Sequence, residues 1–336
     1  MDFQLQEKVA LVTGGSRGIG RAIALTLASQ GMHVAICGRT QETLDSTAAE
    51  IQKHKVKVWT FQTDVSQLTE LEHLVTNTLR AAGQINVLVN NAVTSTSAPF
   101  NELTDDLFRY HIDVKLMAYI RLARLVLTPM RAAGWGRVIN IGGMTARIVA
   151  PLRITNGVVN AGIANFSKQF SSYAAQHQVT VNCIHPGYTV TERVMQLFSR
   201  EAEEANTSIE SIIAKRTEEI PLGKLVQPND IAAAVLFFCS PMANMITGQS
   251  IAVDGGSGEA VMYCSRAPMG FPSRGKSLST AAVTFSYFNQ TVMWVATRMV
   301  LSLTFMTATR DVMLSKRSTD THIPTLPPTT PYRQGY

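Results

Sequence analysis

The feature that most constrains this chain is the octet Thr13-Gly14-Gly15-Ser16-Arg17-Gly18-Ile19-Gly20, which directly follows an apolar run and opens an amphipathic one. Three of its glycines have separate physical duties. Gly14 permits a tight turn, while Gly18 and Gly20 let backbone approach a ligand and let a helix pack on a strand. A helix that starts here presents free N–H groups, at the positive end of its dipole, to whatever lies in the turn. Strand, turn and helix signals agree, so the octet reads as a dinucleotide-phosphate cradle rather than a merely structural turn.

The same rhythm continues for most of the chain. Strand-like runs occur at Lys8–Thr13, His33–Cys37, Val56–Gln62, Asn86–Asn90, Gly136–Ile141, Thr180–His185 and Ser250–Val253. Helical patterns lie between them at Arg21–Ser29, Gln41–Lys53, Leu68–Ala82, Asp105–Ala133, Thr155–Gln176 and Pro228–Cys239. Runs such as Val-Ala-Leu-Val are apolar on both faces, as parallel strands covered by helices on two sides must be. The expected fold is therefore α/β: a Rossmann-type doubly wound parallel sheet in a single domain over residues 1–263. Within it, the charged stretch Thr191–Leu222 interrupts the rhythm at a strand's carboxyl end and is expected to form a substrate lid.

Residues 264–336 lose the alternation and read as a C-terminal extension. Ser277–Thr297 has no charged residue and approaches the length of a membrane span, but Ser, Thr, Asn289 and Gln290 dilute it. The Pro- and Thr-rich end, Ile323–Tyr336, has the composition of disordered chain. Net charge is +6, and its distribution argues against a nucleic-acid partner. From Ser257 onward there are 8 Lys/Arg against 3 Asp/Glu, whereas the preceding residues hold 22 against 21. The main domain is nearly neutral, and the tail's charges are scattered rather than clustered. Asp2, Gln4, Gln6 and Glu7 interrupt any leader-like run, and Cys37, Cys183, Cys239 and Cys264 show no paired spacing. Buried thiols in a cytoplasmic protein, with neither metal nor membrane, are expected.

Taken with its context, the octet resembles the Thr-Gly-x-x-x-Gly-x-Gly cradle of the short-chain dehydrogenase/reductase (SDR) family. The resemblance runs over roughly residues 5–263. It continues at Asp64-Val65, where it implies an Asp against the adenine amino group, and at Asn90-Asn91-Ala92, although Val93 replaces the family's final Gly. Pro186-Gly187 with Thr191 resembles the loop that holds the nicotinamide carboxamide and the pyrophosphate. Ile220–Lys224, Pro228–Ala232, Thr247–Gln249 and Val253–Gly256 are similar to the family's C-terminal signature.

Charge selects the cofactor. An acid at the end of the second strand would bond the ribose diol of NAD and repel a 2′-phosphate. Here that position is Gly38, followed by Arg39, with Arg17 inside the cradle. Two guanidinium forks suit a dianionic phosphate, so NADP(H) is expected.

The catalytic positions depart from the family. The resemblance implies chemistry on an Asn, a Ser, a Tyr and a Lys four residues after the Tyr; alignment puts Lys115, Gly143, Asn156 and Asn160 there. Arg137–Ile141 anchors the alignment, and no Tyr occurs between Met144 and Ser172. An amide has no proton to exchange near neutral pH, and glycine offers no hydroxyl. The Asn and Lys positions look exchanged, so Lys115 is expected to restore the missing positive charge, with Asn156 or Asn160 bonding substrate or ribose. A lysine at this position can instead snorkel to solvent. His185 could face the nicotinamide pocket, although a core or strand-end histidine is more often structural; Tyr188 and Arg153 are further candidates for the substrate mouth.

These features point to an oxidoreductase acting on a small or medium carbonyl, alcohol or activated alkene through a non-standard site. A non-redox isomerase, lyase or cyclase, and a catalytically silent nucleotide-binding protein, are the alternatives. The resemblance also implies a homodimer or homotetramer packed through the long helices Asp105–Ala133 and Thr155–Gln176.

Overall fold

A computed structural model describes residues 2–258. The apolar runs become seven strands: β1 (Val9–Thr13), β2 (His33–Gly38), β3 (Val58–Gln62), β4 (Val87–Asn90), β5 (Gly136–Ile141), β6 (Val179–Pro186) and β7 (Ser250–Val253). They pair in the order β3-β2-β1-β4-β5-β6-β7, and every pair is parallel. The order reverses between β1 and β4, the switch point at whose strand carboxyl ends doubly wound sheets bind ligands.

The helices are α1 (Gly18–Ser29), α2 (Gln41–Gln52), α3 (Leu68–Ala82), α4 (Asp105–His111), α5 (Ala118–Ala133), α6 (Ile154–Ala174), α7 (Glu192–Glu204), α8 (Ile209–Glu218) and α9 (Pro228–Cys239). The two faces of the sheet explain the doubly apolar strands. On one, Ala10, Val12, Val34 and Ile36 pack under α1, α2 and α9 through Ile23, Leu27, Leu44 and Val235. On the other, Leu11, Ala35 and Leu88 meet Leu71, Leu122, Val126 and Ile163 of α3, α5 and α6. Each fully buried Val, Leu or Ile among them contributes about 1.5–3 kcal/mol.

Local chemistry sets the helix ends. Thr104, Thr191 and Ser208 accept from backbone N–H groups to start α4, α7 and α8. Gly83 and Gly134 stop α3 and α5 in the left-handed region.

The predicted helix over Asp105–Ala133 is not uniform. Between α4 and α5, Ile112–Met117 forms a π-helical turn, the register slip that places Val114 and Lys115 inward. The charged stretch after Thr191 folds as α7 and α8. Among the described residues no helix is long and apolar enough to cross a membrane. Ser277–Thr297, Cys264 and the 264–336 extension lie outside the described residues.

Candidate active site

The cradle forms where β1 turns into α1. Gly14 and Gly18 adopt φ of +63° and +54°, a region that penalises any Cβ. A Cβ on Gly20 would lie 2.1 Å from the Gly14 carbonyl oxygen and 2.5 Å from Asn91 Nδ2. Only glycine lets the helix start so close to the turn. Asn91 secures the turn from β4 by donating through Nδ2 to the carbonyls of Thr13 (2.9 Å) and Gly14 (3.1 Å). Thr13 Oγ1 reciprocates, accepting from the N–H groups of Asn91 (2.9 Å) and Ala92 (3.0 Å). Helix α1 has neither a capping side chain nor an acidic residue in its first turn, so its N-terminus is left to an anion.

Gly38 ends β2 beside Ser16, whose Oγ would stand 3.2 Å from a Cβ there. Arg39 is exposed at the rim and shares an open pocket of about 680 Å³ with Asp64, Thr60, Gln62 and Asn77. Asp64 accepts from the Ser66 N–H at 2.9 Å, while Val65 is buried beside it. Arg17 is two-thirds exposed and lies 3.8 Å from Glu192. Thr191 caps α7 next to Gly18, and Gly187 sits so close to Asp254 that a Cβ would be 2.8 Å from its Cα. Ser16 lies in the turn after β1, Ile19 in the first turn of α1, Ala92 just after β4, and Pro186 ends β6. The surroundings fit a dinucleotide phosphate: glycines where bulk is impossible, free helix N–H groups, and cations without an acid at the β2 end.

At the neighbouring strand ends, Lys115 is buried rather than snorkelled, with 5% of its surface exposed. Its Nζ donates to Asn160 Oδ1 at 2.7 Å and to the Gly142 carbonyl at 2.9 Å. Asn160 Nδ2 donates onward to Thr145 Oγ1 at 2.8 Å. Gly143 lies against the same amide, since a Cβ there would meet Asn160 Nδ2 at 2.6 Å. Lys115, Gly143 and Asn160 are therefore one mutually fitted set. Burial pulls the Lys115 pKa from 10.5 down to about 7. Asn156, one helical turn before Asn160, is half-buried; its Oδ1 accepts from Thr155 Oγ1 at 3.3 Å, with no bond to Lys115 or Asn160.

The weaker candidates divide. His185 does not face the cleft. It is fully buried behind the loop, its Nδ1 3.1 Å from the Gly143 nitrogen and 3.0 Å from the Gly143 carbonyl oxygen, and its Nε2 facing Ser250 Oγ at 2.7 Å. Burial pushes its pKa to about 4, so it is neutral at physiological pH. Gly142 is required by that ring, which a Cβ would approach to 2.6 Å. Tyr188 packs on Phe198 of α7 at 5.7 Å between centroids, with the Arg216 guanidinium 5.4 Å from its ring. Arg153, in contrast, lines a pocket beside Thr145.

Sequence reasoning missed Gly142 and Thr145, which supply the carbonyl and hydroxyl that orient Lys115 and Asn160. Their positions beside Gly143 were the only available signal. Tyr119 is a phenol that the fold brings to this end of the sheet. It is fully buried against the carbonyls of Ala92 and Ile141, and burial raises its pKa, so it is not available to a ligand.

Comparison with known proteins accords with this geometry. Residues 14–258 match the family model described as enoyl-(acyl carrier protein) reductase. The 3-oxoacyl-(acyl-carrier-protein) reductase FabG of Aquifex aeolicus is 32% identical over 257 residues, covering 76% of this chain and 99% of the relative. The L-sorbose reductase of Gluconobacter frateurii, solved with NADPH and L-sorbose, superposes with a TM-score of 0.74 at 28% identity, covering 78% of this chain and all of the other. Actinorhodin polyketide ketoreductase, solved with NADPH, gives a TM-score of 0.73 at 30% identity, covering 75% and 98%. The chain belongs to the short-chain dehydrogenase/reductase family.

Proposed function

We propose that this protein is an NADP(H)-dependent oxidoreductase of small or medium carbonyl, alcohol or activated-alkene substrates, with a divergent active site centred on Lys115. The observation that carries the reading is the buried Lys115–Asn160 pair at the strand ends beside a glycine cradle. The NADPH-bound reductases among its structural neighbours support the choice of cofactor.

Thr13, Gly14, Ser16, Gly18, Ile19 and Gly20 hold the pyrophosphate, with Arg17 and Arg39 on the 2′-phosphate. Asp64 and Val65 frame the adenine; Asn91, Ala92, Pro186, Gly187 and Thr191 line the nicotinamide half. When bound, NADPH supplies the reducing equivalent, and the protein must supply a proton to the substrate oxygen. Lys115 is the group able to do so. As an ammonium it uses two hydrogens on Gly142 and Asn160. The third is free for a substrate or ribose oxygen. Its pKa of about 7 makes proton release facile at neutral pH. Asn160 holds the ammonium in place, Gly143 leaves room for that amide, and Asn156 offers its NH₂ to substrate.

The test is NADPH oxidation against a carbonyl panel, with products quantified. Stoichiometric oxidation and reduction are expected; substrate conversion without nicotinamide turnover would replace this reading with a non-redox one. The Asn at position 156, where a phenol would exchange the proton, is the observation that favours that second reading. A homodimer or homotetramer built through α5 and α6 belongs to the same proposal.

A further inference from the structure

The loop between β5 and α6 forms a pocket of about 420 Å³ against the first turns of α6. Thr145, Ile148, Pro151, Ile154 and Val158 contribute to its largely apolar wall, and Arg153 is its one charged side chain. Thr145 is also the hydroxyl that accepts from Asn160, so this pocket adjoins the Lys115 network. A guanidinium flanked by apolar side chains offers forked N–H donors to a carboxylate or phosphate whose attached chain covers those apolar groups. Among the described residues no carboxylate pairs with Arg153, nor with Arg193 on the first turn of α7.

Electrostatics adds to this. Arg193 reaches solvent, yet the protein around its guanidinium lowers its pKa, and the charges of Arg153 and then Arg17 lower it further. Like charges thus lie near one another here, with Glu192 facing Arg17 at 3.8 Å. Such a field attracts and orients an anion. Arg17 belongs to the cradle, so its counter-charge is a cofactor phosphate. Arg153 stands in the β5–α6 loop, at the start of α6, and lines the apolar pocket rather than the cradle.

We infer that the substrate is an amphiphilic anion: a short apolar segment seated on Ile148, Ile154 and Val158, with a carboxylate or phosphate paired to Arg153. The inference rests on the proposed oxidoreductase reading for where substrate enters, but its test does not need turnover.

Calorimetric binding of hexanoate, hexyl phosphate and 1-hexanol to the full chain, with and without saturating NADP⁺, separates the contributions. At least one of the two anions is expected to bind about tenfold or more tightly than the alcohol, the scale of a charge-assisted hydrogen bond. Which anion binds better identifies the headgroup. Arg153→Met, which keeps the apolar stem, should erase the advantage, and Arg153→Lys should retain part of it. NADPH binding by the Arg153→Met variant, followed by fluorescence, should stay within about twofold of the parent, as befits a substrate-side contact. Equal binding of alcohol and anions, or an anion advantage that survives Arg153→Met, would overturn the inference. Failure of NADPH to bind would sink the oxidoreductase reading instead, leaving the anion measurement to stand on its own.

Discussion

At the scale of single residues, Lys115 shows how burial changes what a side chain can do. An exposed lysine stays charged at neutral pH; this one, desolvated and held by Gly142 and Asn160, has its pKa pulled to about 7. The reductive direction requires the protonated form, so kcat should fall as pH rises through about 7. The oxidative direction uses the free amine and should rise through the same range. Lys115→Met should remove both limbs and lower kcat about 10²- to 10⁴-fold, read from pH–rate profiles. NADPH affinity and turnover both unchanged in that variant would remove Lys115 from the site. Arg39→Ala should weaken NADPH about tenfold to a hundredfold while sparing NADH, measured by fluorescence titration. Gly143 and Asn160 should also couple. Gly143→Ala forces a Cβ against Asn160 Nδ2 and should cost about 1–3 kcal/mol, most of it relieved in Gly143→Ala/Asn160→Ala. A denaturant double-mutant cycle measures the coupling.

At the scale of elements, the β1–turn–α1 unit was readable because its constraints are local. The apolar run demands burial on two faces, and the glycines answer a backbone conformation and a close approach that no other residue meets. Gly20→Ala should therefore cost about 3 kcal/mol and abolish NADPH binding, seen as a lowered Tm that NADPH no longer raises. The segment 105–133 was read as one helix because its apolar spacing is nearly continuous. The π-helical turn at Ile112–Met117 leaves little trace in periodicity, since it shifts backbone partners by one residue while the helix axis runs on. Its consequence is chemical: the slip carries Lys115 inward. His185 takes the structural role that a strand-end histidine more often has: its side of β6 faces the Gly142–Gly143 loop and Ser250.

At the scale of the whole molecule, Lys115 couples function to stability. The folded state holds its pKa near 7, while the unfolded chain keeps about 10.5. Between these values the unfolded state binds the extra proton, so stability should rise with pH from about 7 toward 10.5. Lys115→Met should flatten that slope in denaturant titrations. Light scattering on the full chain should give two or four chain masses; a monomer at micromolar concentration would remove the α5–α6 assembly.

By itself, the sequence determined the doubly wound sheet, the seven strands and their parallel character, and the position of the phosphate cradle, because these follow from short-range periodicity and from glycine's backbone freedom. It also marked Lys115, Gly143, Asn156 and Asn160 as the residues to explain, through spacing from β5. Only the tertiary structure decided which of them meet. It joined Lys115 to Asn160 and Gly142 across 45 and 27 positions of chain, left Asn156 outside that pair, turned His185 away and aimed Arg153 into a pocket. Side-chain direction and desolvation depend on what packs from distant segments. A pKa near 7 on a lysine is therefore a property of the π-helical turn, the loop after β5 and α6 packed together, not of the residue.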